Sequence, residues 1–192
     1  MWLRFVVAAG LFALAASAQP VEGAPDDAYQ VRYAANLNIA DSTLNVQNAG
    51  TSGGTICVNA YVLTADGFLQ ACCTCQLPPD ALASWSVRND LISNLLTPVR
   101  PGPASVTIKL LASSQATCNA ATVTAANLAP GMVAWGSTIK PVLPSSYTTV
   151  ETEFSRKGLS AAELSKLTTN CGAIQSNGSG FGICNFCRLG AQ

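Results

Sequence analysis

Residues 56–77 read ICVNAYVLTADGFLQACCTCQL. Two runs rich in Val, Ile, Leu, Tyr and Cys flank Ala65-Asp66-Gly67, the composition of two strands around a tight turn. Gly67 supplies the left-handed backbone of a three-residue loop, which sets Thr64 opposite Phe68 and Cys57 opposite Cys75. A two-residue Asp66-Gly67 loop would set Cys57 opposite Gln76 instead. The three-residue register is preferred, because it brings Cys57 and Cys75 to cystine distance across the hairpin. Cys72 and Cys73 are neighbours on one strand, so they point to opposite faces and can serve two different cystines.

Upstream of the hairpin, Tyr29, Val31, Tyr33, Ala35, Leu37 and Ile39 alternate with Gln30, Arg32, Asn36 and Asn38. Period two predicts a long half-buried strand from Tyr29 to Ile39, apolar face inward. Ala40-Asp41-Ser42 breaks parity, as a bend or bulge would, and Leu44 and Val46 resume it. Asn48 to Gly54 is a turn-rich loop. Downstream, Ala83–Val87, Ser105–Ala112 and Met132–Ile139 read as strands. Pro98, Pro101 and Pro103 mark a loop, and Pro141 and Pro144 close the strand before them. Tyr147–Phe154 is a further strand or an extended arm. Near the C-terminus the period changes. Ser160-Ala161-Ala162-Glu163 is a capping box opening a helix over Ala161–Ile174, with Leu164, Leu167 and Cys171 on one stripe.

About seven short strands with turns between them predict a mainly β fold, an immunoglobulin-like β-sandwich with a small disulfide-held C-terminal helix. Trp85 or Trp135 would be a buried ring against a cystine. The expected organisation is a signal peptide at 1–18, a flexible leader at 19–28, the sandwich at 29–154, and a helix with a Cys-rich tail at 155–192.

The signal peptide rests on MWLRFVVAAGLFALAASA, residues 1–18. Arg4 precedes an apolar run, and Ala16-Ser17-Ala18 is a small-x-small cleavage site. The run is shorter than the roughly 20 apolar residues a membrane span needs. No span is expected after its removal, and the protein is placed outside the cell or on its surface. Export decides how the eight cysteines are read. Cys57, Cys72, Cys73, Cys75, Cys118, Cys171, Cys184 and Cys187 are disulfide candidates in an oxidising compartment. Sequence alone leaves their pairing open.

Composition narrows the chemistry. The chain carries 10 Lys+Arg, 10 Asp+Glu and no His. No basic block exists to bind nucleic acid. Without His, there is no Ser-His or Cys-His nucleophile pair and no switch between pH 5 and 8. High apolar content with zero net charge argues against disorder. No catalytic residues, cofactor or metal are expected.

Several spacings carry a chemical alternative. Cys72-Cys73-Thr74-Cys75 and Cys184-Asn185-Phe186-Cys187 could chelate one soft ion or act as a thiol-redox pair. Ser137-Thr138-Ile139-Lys140 matches the S-x-x-K nucleophile motif, but lies in a strand and lacks its partner motifs. Glu151 and Glu153 share one side of an extended segment, the geometry of a solvated strand face. Asp41, Asp66, Asp80 and Asp90 sit beside turns, where Asp bonds local backbone. Asn177-Gly178-Ser179 is a glycosylation sequon. Trp85, Trp135, Tyr61 and Phe68 could form a sugar-binding platform, with core packing as the default.

Asp41 to Gly50 (DSTLNVQNAG), Ile56 to Val62 (ICVNAYV), Asp66-Gly67, Cys72-Cys73-Thr74-Cys75 and Leu77 with Pro79-Asp80 together resemble a group of secreted cysteine-rich proteins of soil bacteria. Trp135-Gly136-Ser137, Glu151 to Phe154 and Gly182-Ile183-Cys184 extend the resemblance over most of the chain beyond residue 18. It implies a secreted, disulfide-bonded β domain and no catalytic residues.

The leading expectation is therefore a non-enzymatic structural or cell-surface protein. It associates with itself or with a surface partner through the strand bearing Tyr29, Val31, Tyr33, Leu37 and Ile39, and self-association through that strand would build a fibre or matrix. A metal or thiol-redox module and a glycan-binding adhesin are the alternatives. The cysteine reading predicts zero free thiols when the denatured, unreduced protein is titrated with a thiol reagent; reactive thiols there would overturn it.

Overall fold

The computed structural model describes residues 19–92, 102–143 and 146–184. The expected signal peptide, Pro98, Pro101, Pro144 and Cys187 lie outside the described residues. In chain order the elements are β1 (Tyr29–Ala34), β2 (Thr43–Asn48), β3 (Ile56–Thr64), β4 (Leu69–Leu77), β5 (Leu82–Ser86), β6 (Val106–Ser113), β7 (Met132–Leu143), β8 (Ser146–Glu153), β9 (Ser155–Arg156) and α1 (Ala161–Ser176).

The strands form two antiparallel sheets, ordered β4-β3-β6-β1-β9 and β5-β2-β7-β8. Leu44, Val46, Trp85, Met132 and Ala134 from the second sheet meet Val58, Ala60, Val62, Ile108 and Leu110 from the first in one apolar core. The other face of the first sheet is buried as well. Tyr29, Tyr61, Leu63, Cys72 and Leu111 pack there with Leu164, Leu167 and Cys171 of α1. The protein thus has three layers, sheet on sheet on helix, and the first sheet lies in the middle. This is why Ile56–Leu63 is buried at every position: neither face of β3 meets water.

α1 forms where the capping box places it. Ser160 Oγ accepts from Glu163 N at 3.1 Å, satisfying one of the free N–H groups of the first turn. The Glu163 carboxylate pairs with Lys109 of β6 at 2.5 Å, so it fastens helix to sheet.

Cystines join the layers. Cys72 bonds Cys171 of α1 on one face of β4, and Cys73 bonds Cys184 on the other. The adjacent pair therefore serves two cystines, as its strand position requires. Cys57 bonds Cys118, and Cys75 is also disulfide-bonded. The expected Cys57–Cys75 bridge does not form. The loop has the expected three residues: Thr64 N donates to Phe68 O, and Gly67 has φ +85°. The register then slips, because Leu63 pairs with Leu69 but Val62 pairs with Ala71. Gln70 is the extra residue of a bulge, and beyond it Cys57 faces Gln76.

β1 is shorter than expected, and its faces are exchanged. The strand ends at Ala34, and Asn36 turns the chain at φ +58° toward the second sheet. Leu37 is buried in the inter-sheet core while Ile39 stays exposed. Gln30, Arg32 and Ala34 point into the inter-sheet space, whereas Tyr29 and Val31 pack on the helix side. The period was legible; the face was not, because both faces of this sheet are covered. Nor is β1 an edge, since β6 pairs with it along its whole length and β9 pairs with Gln30 and Val31.

The segment 19–28 is bonded rather than loose. Pro20 bridges Ser160, Val21 N donates to Leu159 O at 2.8 Å, and Ala161 N donates to Gln19 O at 3.0 Å. β7 runs through Pro141 to Leu143, with an irregularity there that accommodates the proline. β1 and β2 lie in different sheets, whereas the first two strands of an immunoglobulin domain share one.

Burial pushes the phenols of Tyr29 and Tyr61 well above the ordinary tyrosine range, with the Glu163 carboxylate adding to the effect at Tyr29. Tyr61 Oη donates to Ala120 O at 2.6 Å. A raised folded-state value stabilises the fold fully below the unfolded value of about pH 10 and is lost as pH rises beyond it. On alkaline titration these two phenols should ionise only as the protein unfolds. Phenolate absorbance completing before any change in circular dichroism would contradict this.

Candidate functional site

The two sheets end differently at their edges. On the outer side of β4, Cys72 N donates to Gly182 O at 2.8 Å and Cys184 N to Cys72 O at 3.3 Å. The Cys73–Cys184 cystine holds that segment in place, so β4 offers no free edge near Cys72. β8 is different. It is the outermost strand of the second sheet, and all of it except Val150 is exposed. Phe154 N donates to Ala134 O. Antiparallel alternation then turns the backbone groups of Thr148, Val150 and Thr152 toward β7, and those of Tyr147, Thr149, Glu151 and Glu153 outward. The far end of the β7–β8 hairpin carries exposed apolar side chains, with Leu143 64% and Tyr147 49% exposed.

Beneath this hairpin lies Arg32, only 8% exposed. Its Nη1 donates to Thr152 O and to Thr152 Oγ1, the latter at 2.6 Å; its Nη2 donates to Thr138 Oγ1 at 2.8 Å. The guanidinium carbon stands 5.8 Å from the Phe154 ring centre, a cation–π distance. Burial lowers the pKa of Arg32, and the Glu151 carboxylate acts against that shift. Among the described residues the ion pair is Lys109–Glu163, and no carboxylate bridges Arg32.

Gly136 makes room for this group. A Cβ there would collide with the Thr43 carbonyl oxygen and come within 3.4 Å of Arg32 Nε. Asn36 Nδ2 donates to Ile139 O at 2.7 Å and ties the turn after β1 to β7. Arg32, Tyr33, Asn36, Thr138, Lys140 and Thr152 line a pocket of about 400 Å³.

The residues singled out by sequence fare unevenly. The CCxC cysteines are divided among cystines and present no thiolate cluster. No group of three or more His, Cys, Asp or Glu positioned for a metal occurs among the described residues. Ser137 Oγ accepts from Thr43 N at 2.9 Å, a bond that joins β7 to β2. Asp41 accepts from Ser42 N, Ser86 Oγ and Arg88 N, and Asp90 from Ser86 N, so both brace turns. Glu151 and Glu153 are exposed on β8. Asn177 caps the exposed end of α1. Trp85 and Tyr61 are core residues, Trp135 is half-buried, and Phe68 is exposed at the hairpin turn, so the four aromatics form no platform.

Arg32 was missed. Alternation assigned it to a solvated face, and the only signal against that was a guanidinium inside an otherwise uncharged strand. Gly136→Ala should destabilise the protein by roughly 1–3 kcal/mol through overpacking, read as a lower urea midpoint. An unchanged midpoint would mean that the β2–β7 contact gives way easily.

No family model matches the chain, and no curated protein matches it. Among solved structures, the one titled "Crystal Structure of Thermotoga maritima 1070" is similar at 12% identity, covering 67% of this chain and 95% of that one, with a TM-score of 0.38. A likeness that distant carries no argument about function.

Proposed function

We propose that this protein is a non-enzymatic, extracytoplasmic structural or surface domain that associates with further copies of itself along the free edge of β8. The observation that carries this reading is an exposed outermost strand whose outward backbone groups no other described strand satisfies. Such an edge is a template for strand addition. The partner is a second copy because the strand suits itself. An antiparallel pair centred on Thr149 places Glu151 opposite Tyr147, so the two carboxylates never face each other. That arrangement is isologous and closes as a dimer. Charged residues make up only 10% of the chain, so little repulsion opposes association.

The cystines support export, as does the resemblance to secreted cysteine-rich proteins. Among the described residues, no helix is long and apolar enough to cross a membrane. The pairings β3–β4, β3–β6 and β2–β5 support reading the sandwich as an immunoglobulin-like variant, in which β1 and β7 have exchanged the flanking positions. β6 pairs with the whole of β1 and β9 covers Gln30 and Val31 on its other side, so β8 presents the longer open edge and takes the assembly role expected of Tyr29–Ile39.

The test is Thr149→Pro, which removes an outward N–H and leaves the β7 ladder bonds in place. Sedimentation should show a concentration-dependent dimer for the native protein and a monomer for Thr149→Pro, with similar far-ultraviolet circular dichroism. A native protein that stays monomeric at millimolar concentration, or a variant that dimerises equally well, overturns the proposal.

A further inference from the structure

We infer that the pocket between β1 and the β7–β8 hairpin is a binding site for the carboxylate of a sugar acid, free or within an acidic polysaccharide. Arg32 supplies the buried charge, and Lys140 stands at the rim. A buried cation is costly unless paired, and truly buried charges almost always have a counter-ion. Among the described residues no carboxylate hydrogen-bonds or ion-pairs with Arg32; the exposed Glu151 carboxylate acts on it only through space and offsets its burial in part. The three hydrogen bonds of Arg32 go to a backbone carbonyl and two threonine hydroxyls, all neutral. A guanidinium has five N–H donors, so donor capacity remains for a ligand.

The lining agrees in sign and polarity. It holds two cations, Arg32 and Lys140, and no carboxylate. Thr138, Thr152, Asn36 and Tyr33 add hydroxyl and amide groups suited to a polyhydroxylated molecule. The volume of about 400 Å³ falls within the range of small-molecule sites and holds one sugar ring. Tyr33 is 59% exposed at the rim, where an aromatic face can cover a ring. The pocket uses inward side chains of β8, whereas edge pairing uses its outward backbone groups, so the two can be measured separately.

The test is binding of D-galacturonate, oligogalacturonate, galactose and sulfate to the full-length exported protein, by calorimetry and by chemical-shift perturbation. Galacturonate or its oligomer should bind and shift resonances of Arg32 and Thr138, while galactose and sulfate should not. Tighter binding of the oligomer than of the monomer assigns the site to a polysaccharide, and equal binding assigns it to the free acid. Arg32→Gln should weaken binding about a hundredfold or more. Lys140→Gln, at an exposed position that leaves the fold intact, should weaken it about fivefold. Absence of binding to both uronates at tens of millimolar, equal binding of galactose or sulfate, or an unaltered affinity in Lys140→Gln would each overturn the inference.

Discussion

The structure depends on one geometric fact about β4. Neighbouring residues on a strand face opposite ways, so the Cys72-Cys73 pair fastens two different parts of the chain to two faces of a single strand. Cys72 reaches α1 and Cys73 reaches Cys184. Those bridges span 99 and 111 residues, so closing them removes much of the freedom of the unfolded chain. The first sheet is thereby held in the middle of three layers.

A middle sheet changes the meaning of every residue on it. Alternation read on a two-layer sandwich, with Tyr29 and Val31 turned inward, puts Gln30 and Arg32 in water. Here Gln30 Nε2 donates to Met132 O at 2.6 Å across the inter-sheet gap. Asn59 Nδ2, on the helix side of β3, donates to Cys57 O, Leu111 O and Ser113 Oγ. The core is an apolar one threaded by polar groups whose N–H donors go mostly to backbone carbonyls, while the Asn59 Oδ1 acceptor is buried without a partner. Arg32 exceeds that pattern, because its charge is not cancelled by the contacts that orient it.

The same layering separates stability from exposure. The helix covers the outer face of the first sheet and residues 182–184 cover its β4 edge, so the exposed strand surface lies on the second sheet. There the β7–β8 hairpin runs past the core, and its last residues are exposed on both strands. The proposed self-association and the proposed ligand site both lie on this hairpin and beneath it, away from the helix-covered face of the first sheet.

The sequence by itself determined the local features: the hairpin with its three-residue loop, the helix start at Ser160, most strand positions, and cysteines that serve separate bridges. These follow from backbone chemistry at near neighbours, namely glycine at positive φ, a side-chain cap and period-two alternation. It did not determine which face of β1 is inward, the bulge at Gln70 that moved Cys57 away from Cys75, the pinning of residues 19–28, or the buried state of Arg32. Only the tertiary structure decided those, because each depends on what covers a strand from a distant part of the chain. Alternation states that two faces differ; it cannot state that both are buried.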